Sequence, residues 1–261
     1  MQRIAILIEY DGTGYNGWQL QPNGNTIQES VQTVLSRVFA VPITIHGSGR
    51  TDTGVHAIGQ VAHFDLPADA LPVPIANIPL ASNSLLMPDI RIRQAALVKS
   101  DFHCRFQAIR REYRYYISKH ETVFGQRYSW FVRHAFDVDV MREVGKLIIG
   151  KRDFTVLSKF NATTESYVCN LTQCTVDETE FGICITIISN RFVYSMCRAI
   201  VGAMVAVAQN RVSIAEFAEL LNAGERTERL PLAPYHALFL QGVTYHSDIF
   251  VDESATLPPF I

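Results

Sequence analysis

At 261 residues the chain is longer than one typical domain, so two domains are expected, and 48% hydrophobic against 18% charged content is ordinary for a protein that buries a real core. No apolar run of about 18 or more residues lacks polar interruptions, which excludes a spanning helix, and Met1 to Tyr10 reads as a first strand rather than a signal peptide, so a cytoplasmic protein is expected. Lys and Arg number 23 against 25 Asp and Glu, a net charge of -2, which excludes the globally basic balance of most RNA binders but leaves room for a basic patch.

In chain order, Arg3 to Tyr10 alternates as a strand. Thr26 to Phe39 is a helix with Ile27, Val31, Val34, Leu35 and Val38 on one face, and Thr26-Ile27-Gln28-Glu29 supplies its capping box. Ile43 to His46 and Gln60 to Asp65 alternate as strands on either side of a glycine-rich loop. The proline-rich stretch from Pro67 to Pro74 leads to a weak helix over Ile75 to Leu86, and Ile90 to Val98 is another strand. This order, β-α-β-β-α-β, is the split unit of ferredoxin-like domains.

The second half repeats the order loosely. Glu112 to Lys119 alternates as a strand and Arg127 to Arg133 adds another. Asp139 to Ile149 is helical with Met141, Val144 and Ile148 inward, and Tyr167 to Asp177 with Phe181 to Ser189 forms a hairpin. Ser195 to Gln209 is a long apolar helix, Ser213 caps a shorter one that Gly224 stops, and Leu238 to Tyr245 closes as a strand. The expected fold is α/β (α+β) in two ferredoxin-like domains, residues 1–106 and 107–247, followed by a tail over 248–261.

The stretch Gly47-Ser48-Gly49-Arg50-Thr51-Asp52-Thr53-Gly54-Val55-His56-Ala57 places one carboxylate between glycines, where the backbone turns sharply and a ligand can approach closely. Its Gly-Ser-Gly start is not followed by the Lys-Ser/Thr of a phosphate loop. Asp52-Thr53-Gly54 matches the aspartic-protease triplet, but that chemistry needs two aspartates sharing a proton. No second copy occurs, so the protease reading stands only if a dimer supplies it. The five cysteines form no Cys-x-x-Cys and the histidines no His-Glu-x-x-His, so neither a metal nor a disulfide framework is expected.

Arg198 lies in the apolar helix with Val201, Gly202 and Val205 on its face. A buried arginine needs a partner: Asp52 is one candidate, Asp153 another, and a path to the surface is the third solution. Arg50, two residues before Asp52, suits a phosphate contact or the filling of a flipped nucleotide's space. His56 suits a phosphate contact or a structural turn. Arg105, Arg110 and Arg111 cluster as candidates to grip an RNA backbone. Tyr113 shares one face of its strand with Tyr115.

Five segments together resemble the TruA family of tRNA pseudouridine synthases. They are the Asp52 block; Glu9 to Gln19; Asp101 to Ala108 with Glu112 to Tyr115; Phe192 to Gly202; and Ala233-Pro234 with Leu238 to Tyr245. The resemblance implies two such domains with joined antiparallel sheets and a central cleft. It implies Asp52 as catalytic residue, Tyr113 bordering the target base, and Arg198, Arg50 and Leu238 as substrate-binding residues. It further implies an isomerase without cofactor or metal, acting as a homodimer on the tRNA anticodon arm, at positions 38, 39 and 40. Cys197, Ser195 and Ala237 depart from the residues common in the family and remove no acid, base or ring. A non-catalytic tRNA-binding or tRNA-folding protein is the alternative.

Overall fold

A computed structural model of the chain describes residues 1–22, 24–67 and 73–250. Residues 68–72 of the proline-rich stretch and 251–261 of the expected tail lie outside the described residues. The chain divides into two compact units. The first is Met1–Ile109 with the segment from Phe239, and the second is Arg110–Leu238.

The first unit begins with β1 (Gln2–Tyr10), α1 (Ile27–Phe39), β2 (His46–Gly47) and β3 (His56–Leu66). A 3₁₀ turn over Ile75–Asn77 runs into α2 (Ile78–Asn83), and β4 (Ile90–Val98) follows. β1 sits between β3 and β4, antiparallel to both, and β2 pairs antiparallel with β3. The expected β-α-β-β-α-β order is therefore present. Thr26 caps α1 through its hydroxyl, which accepts from the Glu29 amide at 3.3 Å. The buried face of α1 runs through Ile27, Val31, Leu35 and Phe39, with Val34 and Val38 at its margin.

Alternation along β1 separates two cores. Ile4, Ile6 and Ile8 are buried, Ile4 pairs with Phe64, and Phe64 meets Phe39 of α1 at 5.9 Å. Ala5 faces the other way, into a smaller cluster with Val61, Phe102 and Cys104 that Val243, Tyr245, Ile249 and Phe250 cover. Residues 249 and 250 of the expected tail thus belong to this core.

The second unit contains β5 (Arg110–Ser118), β6 (Trp130–Phe131), α3 (Val138–Leu147), β7 (Gly150–Asp153), β8 (Val168–Glu178) and β9 (Gly182–Ser189), then α4 (Met196–Ala208) and α5 (Ile214–Ala223). β9 lies between β5 and β8, antiparallel to both, and β7 extends the sheet beyond β8. Only Trp130 and Phe131 of the expected strand over Arg127 to Arg133 pair, in parallel with Ile117 and Ser118. Asp137 caps α3, accepting from the Asp139 and Val140 amides at 2.8 and 3.3 Å. Ser213 and Gly224 bound α5 as expected, the glycine at φ 72°.

The last strand is β10 (Leu238–Thr244). Phe239 and Leu240 pair in parallel with His56 and Ala57 of β3, and Thr244 O accepts from the Ile109 amide at 2.8 Å. These bonds group the segment from Phe239 with the first unit, whereas order along the chain alone assigns it to the second.

Candidate active site

Asp52 sits in the turn between β2 and β3, half-buried, and the N-terminal segment that follows β1 holds its backbone. Trp18 N–H donates to Thr51 O at 3.1 Å, Gly54 N–H to Tyr15 O at 3.3 Å, and Val55 N–H to Asp52 O at 3.1 Å. The approach is so close that a Cβ at Gly17 would lie 2.6 Å from Thr51 O, at a φ of +81°. One at Gly12 would lie 2.1 Å from Val55 O. The side chains agree with the backbone. Tyr10 Oη and Thr51 Oγ1 are 2.8 Å apart in a buried contact. The Ser48 hydroxyl donates to Gln60 Oε1 at 2.7 Å while Gln60 Nε2 donates to Gly49 O at 2.9 Å. The Asp52 loop is therefore built from Glu9 to Gln19 as much as from its own residues.

His56 is a structural residue in this arrangement. It is buried, its Nδ1 accepts the Gly12 amide at 3.1 Å and lies 3.0 Å from Asp11 Oδ1, and its ring stacks on Phe239 at 4.7 Å. Arg50 is exposed, and its Nε donates to Gln19 Oε1 at 2.9 Å. Burial and the neighbouring Asp89 carboxylate, to which Tyr15 donates at 2.7 Å, push the Tyr15 phenol well above its ordinary value.

In the second unit, Tyr113 on β5 is buried edge-on against Phe192, 5.0 Å between centroids. Two of the segments that carry the resemblance thus meet. Arg198 lies in the first turn of α4, whose preceding residue, Ser195, takes a left-handed conformation at φ 58°. Arg198 Nε donates to Ala233 O at 2.8 Å, its backbone O accepts from the Ala233 amide at 3.0 Å, and its guanidinium lies 5.9 Å from the Tyr235 ring centre. Asp153 is engaged elsewhere, accepting the Thr155 amide at 2.7 Å. The second contact of this face is Tyr115, whose hydroxyl donates to Pro234 O at 2.9 Å. Leu238 is buried just after the 3₁₀ turn Tyr235–Ala237.

The arginine cluster divides. Arg105 and Arg110 are exposed, and Arg105 lies 5.7 Å from the ring centre of Phe106, itself 74% exposed. Arg111 is only 9% exposed, and its Nη1 donates to Asn190 O at 2.8 Å. Alternation on β5 turns Arg111 inward, so its expected role as a backbone grip gives way to one in holding the β9 end.

A further cluster was not legible in the sequence. His63 on β3 and His103 and Cys104 beyond β4 bring one ring nitrogen each and a thiol sulfur within 4.8 Å of one another. Burial, with the His103, His46 and Arg3 charges, lowers His63 to about 4. The residues are 40 positions apart, so no spacing motif announces them.

The sequence model for tRNA pseudouridine synthase matches residues 6–107 and 145–246. The tRNA pseudouridine synthase A of Exiguobacterium sp. is 37% identical over 245 residues, 94% of this chain and 98% of its own. Those of Porphyromonas gingivalis and Bacillus subtilis are each 36% identical, over 253 and 247 residues. They cover 96% and 93% of this chain, and 100% and 99% of their own. The family-model match falls on both α+β units and takes in the Asp52 loop, Arg198 and Leu238, whereas Tyr113 lies between its two matched stretches. The chain belongs to the tRNA pseudouridine synthase family.

Proposed function

We propose that the protein isomerises uridine to pseudouridine in the anticodon arm of tRNA, with Asp52 as the reacting carboxylate. The observation that carries this reading is the Asp52 loop, a carboxylate on a turn whose backbone is clamped by Trp18 and Tyr15 at 3.1 and 3.3 Å. The reaction breaks the bond from uracil N1 to the ribose and re-forms it at C5 of the same base; the C5–H bond breaks, its proton passes to solvent or to the carboxylate, and N1 gains a proton. The composition is unchanged, so one positioned carboxylate suffices as the acid-base or nucleophilic group. Tyr113 borders the base, Leu238 walls it, and Arg198 binds the substrate. Family membership supports these roles. Arg50, Arg105 and Arg110 serve the RNA backbone, through salt-dependent contacts that suit recognition by shape. A homodimer in the cytoplasm, acting on one tRNA with both subunits, completes the reading.

The test is incubation of unmodified tRNA transcript with the purified protein, mapping pseudouridine by carbodiimide-primer extension, with Asp52→Ala as the control. Product on the 3′ side of the anticodon arm, absent with the variant that still binds tRNA, is expected. Product undiminished in Asp52→Ala overturns the catalytic assignment. Binding without product from the wild type favours the tRNA-folding alternative.

A further inference from the structure

The His63–His103–Cys104 cluster is remote from Asp52. His63 stands seven residues along β3 from His56, roughly 20 Å at the rise of a strand. It lies on the sheet face opposite α1, since its partner on β1 is Ala5, of the second core. His63 is 2% exposed, Cys104 0%, and His103 half-buried, so the cluster meets solvent beside His103.

We propose that His63, His103 and Cys104 form a binding site for a zinc-class divalent cation, with water in the fourth position. The donor set is the one such an ion takes, two imidazoles and a thiolate. His63 Nδ1 and Cys104 Sγ are already 3.1 Å apart. Donors sharing one tetrahedral zinc, at about 2.0–2.3 Å each, are roughly 3.3–3.8 Å apart. The full cluster, within 4.8 Å, reaches that geometry by shifts of less than roughly 1 Å per side chain. The nearest fixed cation, Arg3, is held on Asp65 through two bonds of 2.8 Å. His46 flanks the site, its ring 5.1 Å from that of His63 and 6.0 Å from that of His103, and the exposed Phe106 covers His103 at 4.3 Å.

Binding displaces contacts that the ligand atoms now make: the Cys104 thiol donates to His46 O at 3.0 Å, His63 Nδ1 accepts the Cys104 amide at 3.5 Å and lies 3.1 Å from Cys104 Sγ, and His103 Nδ1 accepts the Arg105 amide at 3.2 Å. The sulfur–metal bond forms as the S–H bond breaks and its proton passes to solvent. Loading at neutral pH therefore releases about one proton per ion.

The experiment uses the full-length protein stripped with a chelator. It is titrated with cobalt(II) as a spectroscopic probe and then with zinc in competition with a chromophoric chelator. The expected result is one cobalt per chain, with a thiolate-to-cobalt charge-transfer band and the visible bands of tetrahedral geometry, displaced by zinc. Cys104→Ser abolishes the charge-transfer band, and both it and His103→Asn weaken zinc binding by about a hundredfold or more. His103 is half-buried and the serine is close in size, so circular dichroism serves to confirm that both variants are folded. The absence of a charge-transfer band in the wild type overturns the proposal, as does zinc affinity unchanged in folded Cys104→Ser. These readouts are independent of pseudouridine formation, and neither Cys104 nor His103 belongs to the proposed catalytic set.

Discussion

Gly202→Ala places a methyl group where α4 touches the segment that holds Arg198. The added Cβ would lie 1.8 Å from Pro231 O, 2.8 Å from Pro231 C and 2.9 Å from Ala233 N. An ordinary carbon–oxygen contact needs roughly 3.3 Å or more, so the segment must retreat by more than about 1 Å. That segment carries both anchors of Arg198, the Ala233 carbonyl at 2.8 Å and the Ala233 amide at 3.0 Å. Replacing a mid-helix glycine by alanine gains about 1 kcal/mol. Overpacking costs about 1–3 kcal/mol, and loosening a charged hydrogen bond about 1.5–3 kcal/mol. The net expectation is destabilisation by roughly 1.5–5 kcal/mol. Displacing a positioning group by about 1 Å should also slow the reaction by about a hundredfold. Urea denaturation and single-turnover pseudouridine formation on tRNA transcript measure the two effects separately. A variant that is more stable by about 1 kcal/mol and reacts at the wild-type rate would show that the close approach does not position Arg198.

The first unit gives a parallel case: Gly17→Ala, strained at φ +81° and directed at Thr51 O, should destabilise by about 1–3 kcal/mol and slow the chemical step while tRNA affinity is kept. Chemical denaturation, single-turnover kinetics and a filter-binding titration read the three quantities, and an unchanged rate would refute the clamp. Arg110→Ala and Arg111→Ala should diverge. The first weakens tRNA binding and lowers its salt slope by about 1 without altering stability, and the second destabilises the fold. Equal effects of both on the salt slope would contradict the inward orientation of Arg111. Burial pushes the Cys174 thiol up to about 12 and Cys169 to about 11, so in the native state at pH 8 both remain protonated and resist alkylation by iodoacetamide. Mass spectrometry that finds either labelled as fast as a small-molecule thiol would overturn that picture.

Elements with a local signature were legible in the sequence. α1 follows from Thr26 at its cap and from Ile27, Val31 and Leu35 at helical spacing, and α5 from Ser213 and Gly224. β7 was not legible, because Gly150–Asp153 has no apolar alternation. It is a strand only because β8 offers an edge to pair with. The neighbour of β10 was not legible for a similar reason. Its own pattern says strand, but whether its neighbour is β3 is settled by the parallel register of Phe239 with His56. Asp52 was conspicuous because its loop must be glycine-rich, and Arg198 because a cation on an apolar helix face demands a partner. The first partner found is a backbone carbonyl, which no residue type announces: Ala233 accepts through its main chain. Arg111 shows the same limit from the other side, since a run of arginines does not say which member the strand turns inward.

The proposed reaction explains why both functional segments are held by backbone rather than by long side chains. In an isomerisation that detaches a base, turns it and reattaches it, the substrate is the moving part, and the protein gains by standing still. A carboxylate at the end of a mobile loop would sample many positions relative to the turning ring, and each ordering event would add to the barrier. Here the Thr51 carbonyl is fixed by Trp18 and the Tyr15 carbonyl by Gly54, and the glycines at 12 and 17 let these chains meet at backbone distance. Gly202 does the same for the chain beneath Arg198. Backbone contacts of this kind have few alternative rotamers, so they hold position at a lower entropic cost than side-chain contacts of equal number. The rate should accordingly be more sensitive to a single methyl group at Gly17 or Gly202 than to removal of the exposed Arg50 guanidinium, although only Arg50 stands within two residues of Asp52.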